Sequence, residues 1–184
     1  MQRLEPERPP LRIHIVGDGG AAHPDTPLLL PLAEGLRDRG HRLEVIRSRP
    51  AVQGEAGAPG RYARFKRVLH FRRLLVAHWS RQRPDLVHID SLGPLGWAAL
   101  QAAGKLRIPV SASFPGEFAA VPLPLLRRPL AAELRKFFAR VNAVLVAGAA
   151  PADALRKAGL RNLHPVAPGS DLAAIEHVLR GAVR

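Results

Sequence analysis

Three short stretches of this chain combine residue types that could do chemistry. Gly17-Asp18-Gly19-Gly20 sets three glycines around a carboxylate directly after an apolar run. Without side chains in the way, backbone amides there could approach a phosphate or a sugar; a tight turn would ask for the same residues, so both readings stand. His88, Asp90, Ser91 and Gly93 put an imidazole, a carboxylate and a hydroxyl within six residues. No third metal-ligand type lies nearby in sequence, so no metal is expected, and His88 reads as a structural histidine held by hydrogen bonds. Ser113 closes another apolar run, and Glu117 follows in Phe114-Pro115-Gly116-Glu117. Deprotonating a hydroxyl acceptor needs a carboxylate or an imidazole near the reacting atom, which makes Glu117 the candidate catalytic acid or base, with a solvated loop glutamate as the alternative reading. The candidate substrate- or phosphate-binding set is Gly17, Asp18, Gly19, Gly20, Asp90, Ser91, Gly93 and Ser113.

Those residues must be positioned by regular elements, and the pattern of apolar residues names them. Leu11–Val16 alternates and runs into the glycines, as a buried strand entering a turn would. Thr26-Pro27 reads as a helix start and Gly40 as its end; strands are expected at His41–Arg47, Leu86–Asp90, Val110–Phe114, Ala143–Ala147 and His164–Ala167. Between them fall helices over Arg61 to about Arg83, Pro94–Ala103 closed by Gly104, Leu130–Arg140, Pro151–Ala158, and Pro168 to about Leu179. Short apolar strands alternating with helices predict an α/β chain: a Rossmann-like, doubly wound parallel sheet of about six strands in three α/β/α layers. Ligands of such sheets bind beyond the carboxyl ends of the strands, so every candidate site residue is expected on one rim.

Composition narrows the class. The 184 residues carry +13 net charge, 47% hydrophobic content and no cysteine, and only Lys66, Lys105, Lys136 and Lys157 of the 28 basic residues are lysines. Residues 1–10 are expected as a disordered tail and 11–184 as a single domain. The N-terminus lacks the apolar stretch of a signal peptide, no run is long enough to span a bilayer, and the absence of cysteine fits a reducing compartment, so a cytoplasmic location is expected. Between Glu55 and Asp85 lie eight basic residues and no acidic one. Arg64, Lys66, Arg67, Arg72 and Arg73 are therefore candidates for contact with an anionic membrane surface, which would place the protein peripherally at the inner membrane face. A solvated face on an ordinary crossover helix is the alternative. No nucleic-acid-binding motif accompanies the charge, and no Walker motif or Ser/His/Asp arrangement is present.

Several stretches together resemble glycosyltransferase family 4, whose members have the GT-B fold. Arg83-Pro-Asp-Leu-Val-His-Ile-Asp90 resembles that family's RPD-V-H-H strand, and Gly93-Pro-Leu-Gly-Trp-Ala-Ala99 the helix after it. Gly40–Ile46, Ala143–Ala147, Ala152–Leu155 and Val166–Asp171 resemble further runs of the family's N-terminal, acceptor-side domain. The resemblance implies hexosyl transfer from a nucleotide sugar to a sugar or lipid-linked acceptor. It also implies that the donor-binding C-terminal domain is absent here, so that no cofactor is bound by this chain alone and the nucleotide sugar is a co-substrate only when a donor domain completes the cleft. Pro115 stands where family members commonly carry a histidine that contacts the donor sugar, and proline cannot donate that hydrogen bond.

Two other readings follow from the same residues. A non-catalytic binding or scaffold domain would keep the fold without the chemistry. An NAD(P)-binding domain would explain Gly17-x-Gly19-x-x-Ala22, although His23-Pro-Asp-Thr-Pro27 postpones the helix that this fingerprint needs among its glycines. Expected partners are the acceptor and either a donor-binding partner chain or a second copy, bound through an apolar edge formed by Phe114, Phe118, Val121, Leu123 and Leu125.

Overall fold

The computed structural model describes residues 9–17, 29–48, 61–114, 128–166 and 172–183. Within them, strands and helices alternate: β1 (Arg12–Gly17), α1 (Leu29–Asp38), β2 (Arg42–Arg47), α2 (Arg61–Arg81), β3 (Leu86–Ile89), α3 (Pro94–Leu106), β4 (Val110–Ser113), α4 (Arg128–Phe138), β5 (Ala143–Ala147), α5 (Ala149–Lys157), β6 (Leu163–Val166) and α6 (Leu172–Ala182). The strands form one six-stranded sheet in the order β2-β1-β3-β4-β5-β6, and every pairing is parallel. The expected Rossmann-like architecture is therefore present. No helix among the described residues is long and apolar enough to cross a membrane.

The alternation read in the sequence becomes two cores. In β1, Ile13 and Ile15 point to one face, where Ala33 and Leu36 of α1 and Ile175 and Leu179 of α6 cover them. Val16 points to the other, together with Val87, Ile89, Val110, Ala112, Val144 and Val146, under Trp79 of α2, the alanine-rich stripe of α3 and Phe137 of α4. Successive side chains of a strand face opposite ways, so a sheet buried on both faces needs apolar residues at nearly every position. β3 is buried at all four positions, with Leu86, Val87 and Ile89 apolar and His88 the polar exception.

Two boundaries and one expected surface residue differ from the sequence reading, each for a local reason. Gly104 does not end α3; the helix continues to Leu106, and Arg107 takes the left-handed conformation (φ 53°), its amide donating to the carbonyls of Ala103 and Gly104. α5 begins at Ala149 rather than Pro151, because Gly148 (φ 99°) makes the turn out of β5. Phe114 is buried against Phe138, with ring centroids 5.2 Å apart, and does not form part of an exposed apolar edge. Phe118, Val121, Leu123 and Leu125 lie outside the described residues.

The last helix is fastened to the start of the first strand. Glu176 of α6 accepts hydrogen bonds from Arg180 Nε at Oε1 (2.7 Å) and from Arg39 Nη1 at Oε2 (3.0 Å), and His41 Nε2 lies 3.1 Å from Oε1. His41 Nδ1 in turn accepts from the Leu11 amide, while Arg180 Nη1 donates to the Pro9 carbonyl. Burial works to raise the Glu176 pKa, but the bonds from Arg180, Arg39 and His41 prevail and bring it down to about 2. A depressed carboxylate stabilises the fold fully above its unfolded value near 4.5 and progressively less as pH falls toward 2. Glu176→Gln is expected to cost about 1–3 kcal/mol in urea denaturation at pH 7, with the gap to wild type closing near pH 2.

Candidate functional site

The carboxyl ends of β1, β3 and β4 are neighbours in the sheet, and they bring part of the expected set together. Gly17 ends β1 in register with the start of this rim, and Asp90 follows β3 directly, its amide donating to the Val16 carbonyl at 2.9 Å. A Cβ placed on Gly17 would sit 3.6 Å from Asp90 Oδ2, so the two residues adjoin. Ser113 ends β4 one strand further along, since Ile89 is paired with Ala112. Ser91 and Gly93 form the short connection into α3, whose first residue is Pro94 and whose N-cap position is Gly93. That connection is pressed against α3, because an added Cβ on Gly96 would collide with the Ser91 carbonyl. Asp18, Gly19, Gly20 and Glu117 lie outside the described residues.

Beneath this rim sits His88. Its ring is fully buried, with Nδ1 2.9 Å from Ser111 Oγ and Nε2 3.1 Å from Ser113 Oγ. Residues two apart on one strand share a face, so Ser111 and Ser113 both reach across to the ring that β3 presents beside them. Burial holds the imidazole neutral, pushing its pKa down to about 4. The sequence reading of His88 as a hydrogen-bonded structural residue thus gains a second aspect, since one of its partners reaches the rim.

The basic helix divides its charges. Tyr62, Phe65 and Leu74 of α2 are exposed, at 71%, 58% and 54%, whereas Leu75 and Trp79 are buried. Lys66 Nζ stands 4.5 Å over the Tyr62 ring. Lys66 and Arg73 are seven residues apart and share a stripe with Tyr62, Phe65 and Leu69; Arg64 and Arg67 lie round the axis, and Arg72 turns toward α3 in a groove with Arg140. The five candidate cations therefore do not form one face.

One cluster escaped the sequence reading. His14 of β1, Glu44 of β2 and His78 of α2 meet with their ligand-type atoms all within 4.8 Å of one another. His14 Nε2 lies 3.3 Å from Glu44 Oε2, and His78 Nε2 lies 3.0 Å from Glu44 Oε1. Trp79 Nε1 donates to His14 Nδ1 at 3.0 Å. An indole can only donate, so neutral His14 keeps its proton on Nε2, facing Glu44; a cation at that nitrogen would have to displace it. The arrangement suits a shared carboxylate that ties the edge strand to α2. The signal in the sequence was a histidine at an inward position of an otherwise apolar strand, but nothing local indicated its partners. Trp79→Phe should leave His14 Nδ1 without a donor in the core and cost about 1–3 kcal/mol, measured by urea denaturation.

The profile of Glycosyltransferase Family 4 matches residues 28–174. Among solved structures, UDP-GlcNAc 2-epimerase from Methanocaldococcus jannaschii superposes with a TM-score of 0.60 at 14% identity, over 93% of this chain and 49% of that one. The enzyme of the same activity from Neisseria meningitidis, solved bound to UDP-GlcNAc, gives 0.62 at 13% identity, over 91% and 48%. The chain thus spans about half the length of these structures, and at such identities the likeness concerns the fold. Comparison with the curated proteins yields no match.

Proposed function

Because this chain belongs to glycosyltransferase family 4, we propose that its carboxyl-end rim is the acceptor side of a two-part cleft for hexosyl transfer from a nucleotide sugar, working with a separate donor-binding half. The observation that carries the proposal is the convergence of Gly17, Asp90 and Ser113 from three neighbouring parallel strands onto one edge. A glycine permits close approach of a ligand to the backbone, a carboxylate accepts from sugar hydroxyls, and a serine can donate or accept. The UDP-GlcNAc 2-epimerase of Methanocaldococcus jannaschii was solved in complex with UDP-GlcNAc and UDP, and the same kind of ligand is proposed as co-substrate here once a donor half is in place. Glu117 remains the proposed acid or base, and Asp18, Gly19 and Gly20 remain proposed ligand-binding residues.

The test is reconstitution. Mixing the chain with a family donor-binding domain and a UDP-sugar should produce hydrolysis or transfer that neither part gives alone, and Asp90→Asn should reduce it by at least roughly tenfold. Full assembly of the two halves with no turnover would favour the scaffold reading instead.

A lipid-linked acceptor would put this rim near a membrane, with the protein at the cytoplasmic face. The stripe of Tyr62, Phe65, Lys66 and Arg73 suits such contact, combining exposed aromatic rings with cations that each gain about 1 kcal/mol near anionic lipid. Co-sedimentation with phosphatidylserine vesicles should be strong at low salt and fade as salt is added, and Lys66→Glu with Arg73→Glu should abolish it. Equal recovery on neutral vesicles would remove the electrostatic account.

A further inference from the structure

We propose that Ser113 offers its hydroxyl hydrogen outward at the rim, to an oxygen atom of a bound sugar, and that His88 and Ser111 behind it fix this direction. The proposal rests on the reading of the rim as a sugar cleft and adds to it which partner chemistry one position demands. Its physical basis is proton counting along a buried chain of three groups: Ser111 Oγ, the His88 ring and Ser113 Oγ, linked at 2.9 and 3.1 Å.

A neutral imidazole has one N–H and one lone pair, so its two serines play opposite parts. If Nδ1 carries the hydrogen, it donates to Ser111; Ser113 then spends its own hydrogen on Nε2 and can only accept at the rim. If Nε2 carries the hydrogen, it donates to Ser113, Ser111 donates to Nδ1, and the Ser113 hydrogen is left for a ligand. Ser111 decides between them. Its side chain is fully buried, and among the described residues its hydroxyl has no recorded partner other than His88. In the first arrangement the Ser111 hydrogen is stranded in the core with no acceptor. In the second every hydrogen inside the protein is used, and only an oxygen lone pair of Ser111 goes unfilled. An unpaired buried donor is disfavoured by roughly tenfold or more, so the second arrangement prevails.

The position of each group in the sheet supports a role at the rim. Ser111 and Ser113 lie on one face of β4, two residues apart, and β3 brings His88 level with Ser111, so the chain runs along the strands toward their carboxyl ends. Burial keeps the ring neutral through the physiological range, which preserves the one-donor, one-acceptor logic. Ser113 itself is only partly covered. It lies next along the rim from Asp90, so the edge presents a hydroxyl donor close to a carboxylate. A sugar hydroxyl, able to both accept and donate, suits such a neighbourhood. His88 acts through Ser113 and is a positioning residue.

The test has two independent readouts on the whole chain. Nitrogen NMR of histidine-labelled protein at pH 7 should show His88 as the Nε2–H tautomer; an Nδ1–H tautomer would overturn the proposal whatever the chain binds. Titration with a set of methyl hexopyranosides should then shift the Ser113 amide, with affinity falling roughly tenfold in Ser113→Ala and recovering in Ser113→Thr, which keeps the hydroxyl. Equal binding by Ser113→Ala and wild type would also overturn it. If His88 shows the expected tautomer but no hexoside binds, the sugar assignment and the cleft reading beneath it fail, while the direction of the Ser113 hydrogen stands.

Discussion

Lowering the pH from 6.5 to 4 is expected to remove about 3 kcal/mol of folding stability through His88 alone. Burial pushes its pKa from 6.5 down to about 4, and no charged partner offsets that burial. Across this interval the unfolded chain binds a proton at His88 that the folded chain refuses, so acid favours unfolding. The contribution is fully present above 6.5, falls steadily to about 4, and is level below. His14 and His164 are also lowered, by burial first, with Glu44 opposing in one case and Arg156 assisting in the other, so wild-type stability should slope more steeply than His88 alone dictates. His88→Asn separates the terms, because an amide can donate and accept between the same two serines without titrating. The stability difference between wild type and variant, followed by urea denaturation from pH 7.5 to 4, should change by about 3 kcal/mol. A constant difference would mean that His88 takes up protons equally in both states.

Gly96→Ala is expected to destabilise by about 3 kcal/mol or more, against the helix-propensity trend. In a helix interior, alanine is ordinarily preferred to glycine by about 1 kcal/mol. Here the added methyl meets the Ser91 carbonyl, and Ile89 Cγ2 stands 3.1 Å away. A backbone carbonyl cannot rotate aside as a flexible side chain does, so either α3 lifts from the sheet or the Asp90–Gly93 connection moves. Both would disturb the rim, and ligand affinity should fall with stability. Gly104→Ala in the same helix is the control, since nothing lies within 4 Å of its added methyl; there a gain of about 0.5–1 kcal/mol is expected. If both variants were stabilised alike, the close approach of α3 to the rim would be refuted.

Much of the architecture was legible because its cause is local. Strand alternation and the Pro94 and Gly40 signals state their own conformations, and the observed strands begin and end within a residue or so of expectation. The error at Gly104 has an equally local origin: glycine is a common helix terminator, but the chain placed the left-handed turn at Arg107, where Ile108 could bond back to the Ala103 carbonyl and enter the core. The rim was legible as a place, since a parallel sheet gathers its carboxyl ends by construction. What lay beyond reach was pairing across the sequence. Glu176 reads as an ordinary helix-surface glutamate until Arg39 and His41 arrive from the far end of the chain. His14 and Trp79 likewise make sense only once α2 is laid over β1. The His88 chain depends on β4 supplying serines at two alternate positions, a pattern visible in Ser111-Ala112-Ser113 but silent until β3 is placed beside it.

The bond from Arg180 to the Pro9 carbonyl has a practical corollary. It brings the first described residues and the end of α6 together at the edge where β1 enters the sheet, away from the rim. A circularly permuted version joined there by a short linker, and reopened at an exposed turn such as Arg161-Asn162, would begin and end somewhere new with its sheet order intact. Affinity tags or immobilisation handles attached near Pro9 or Arg180 would both emerge on that side and leave the carboxyl-end rim unobstructed.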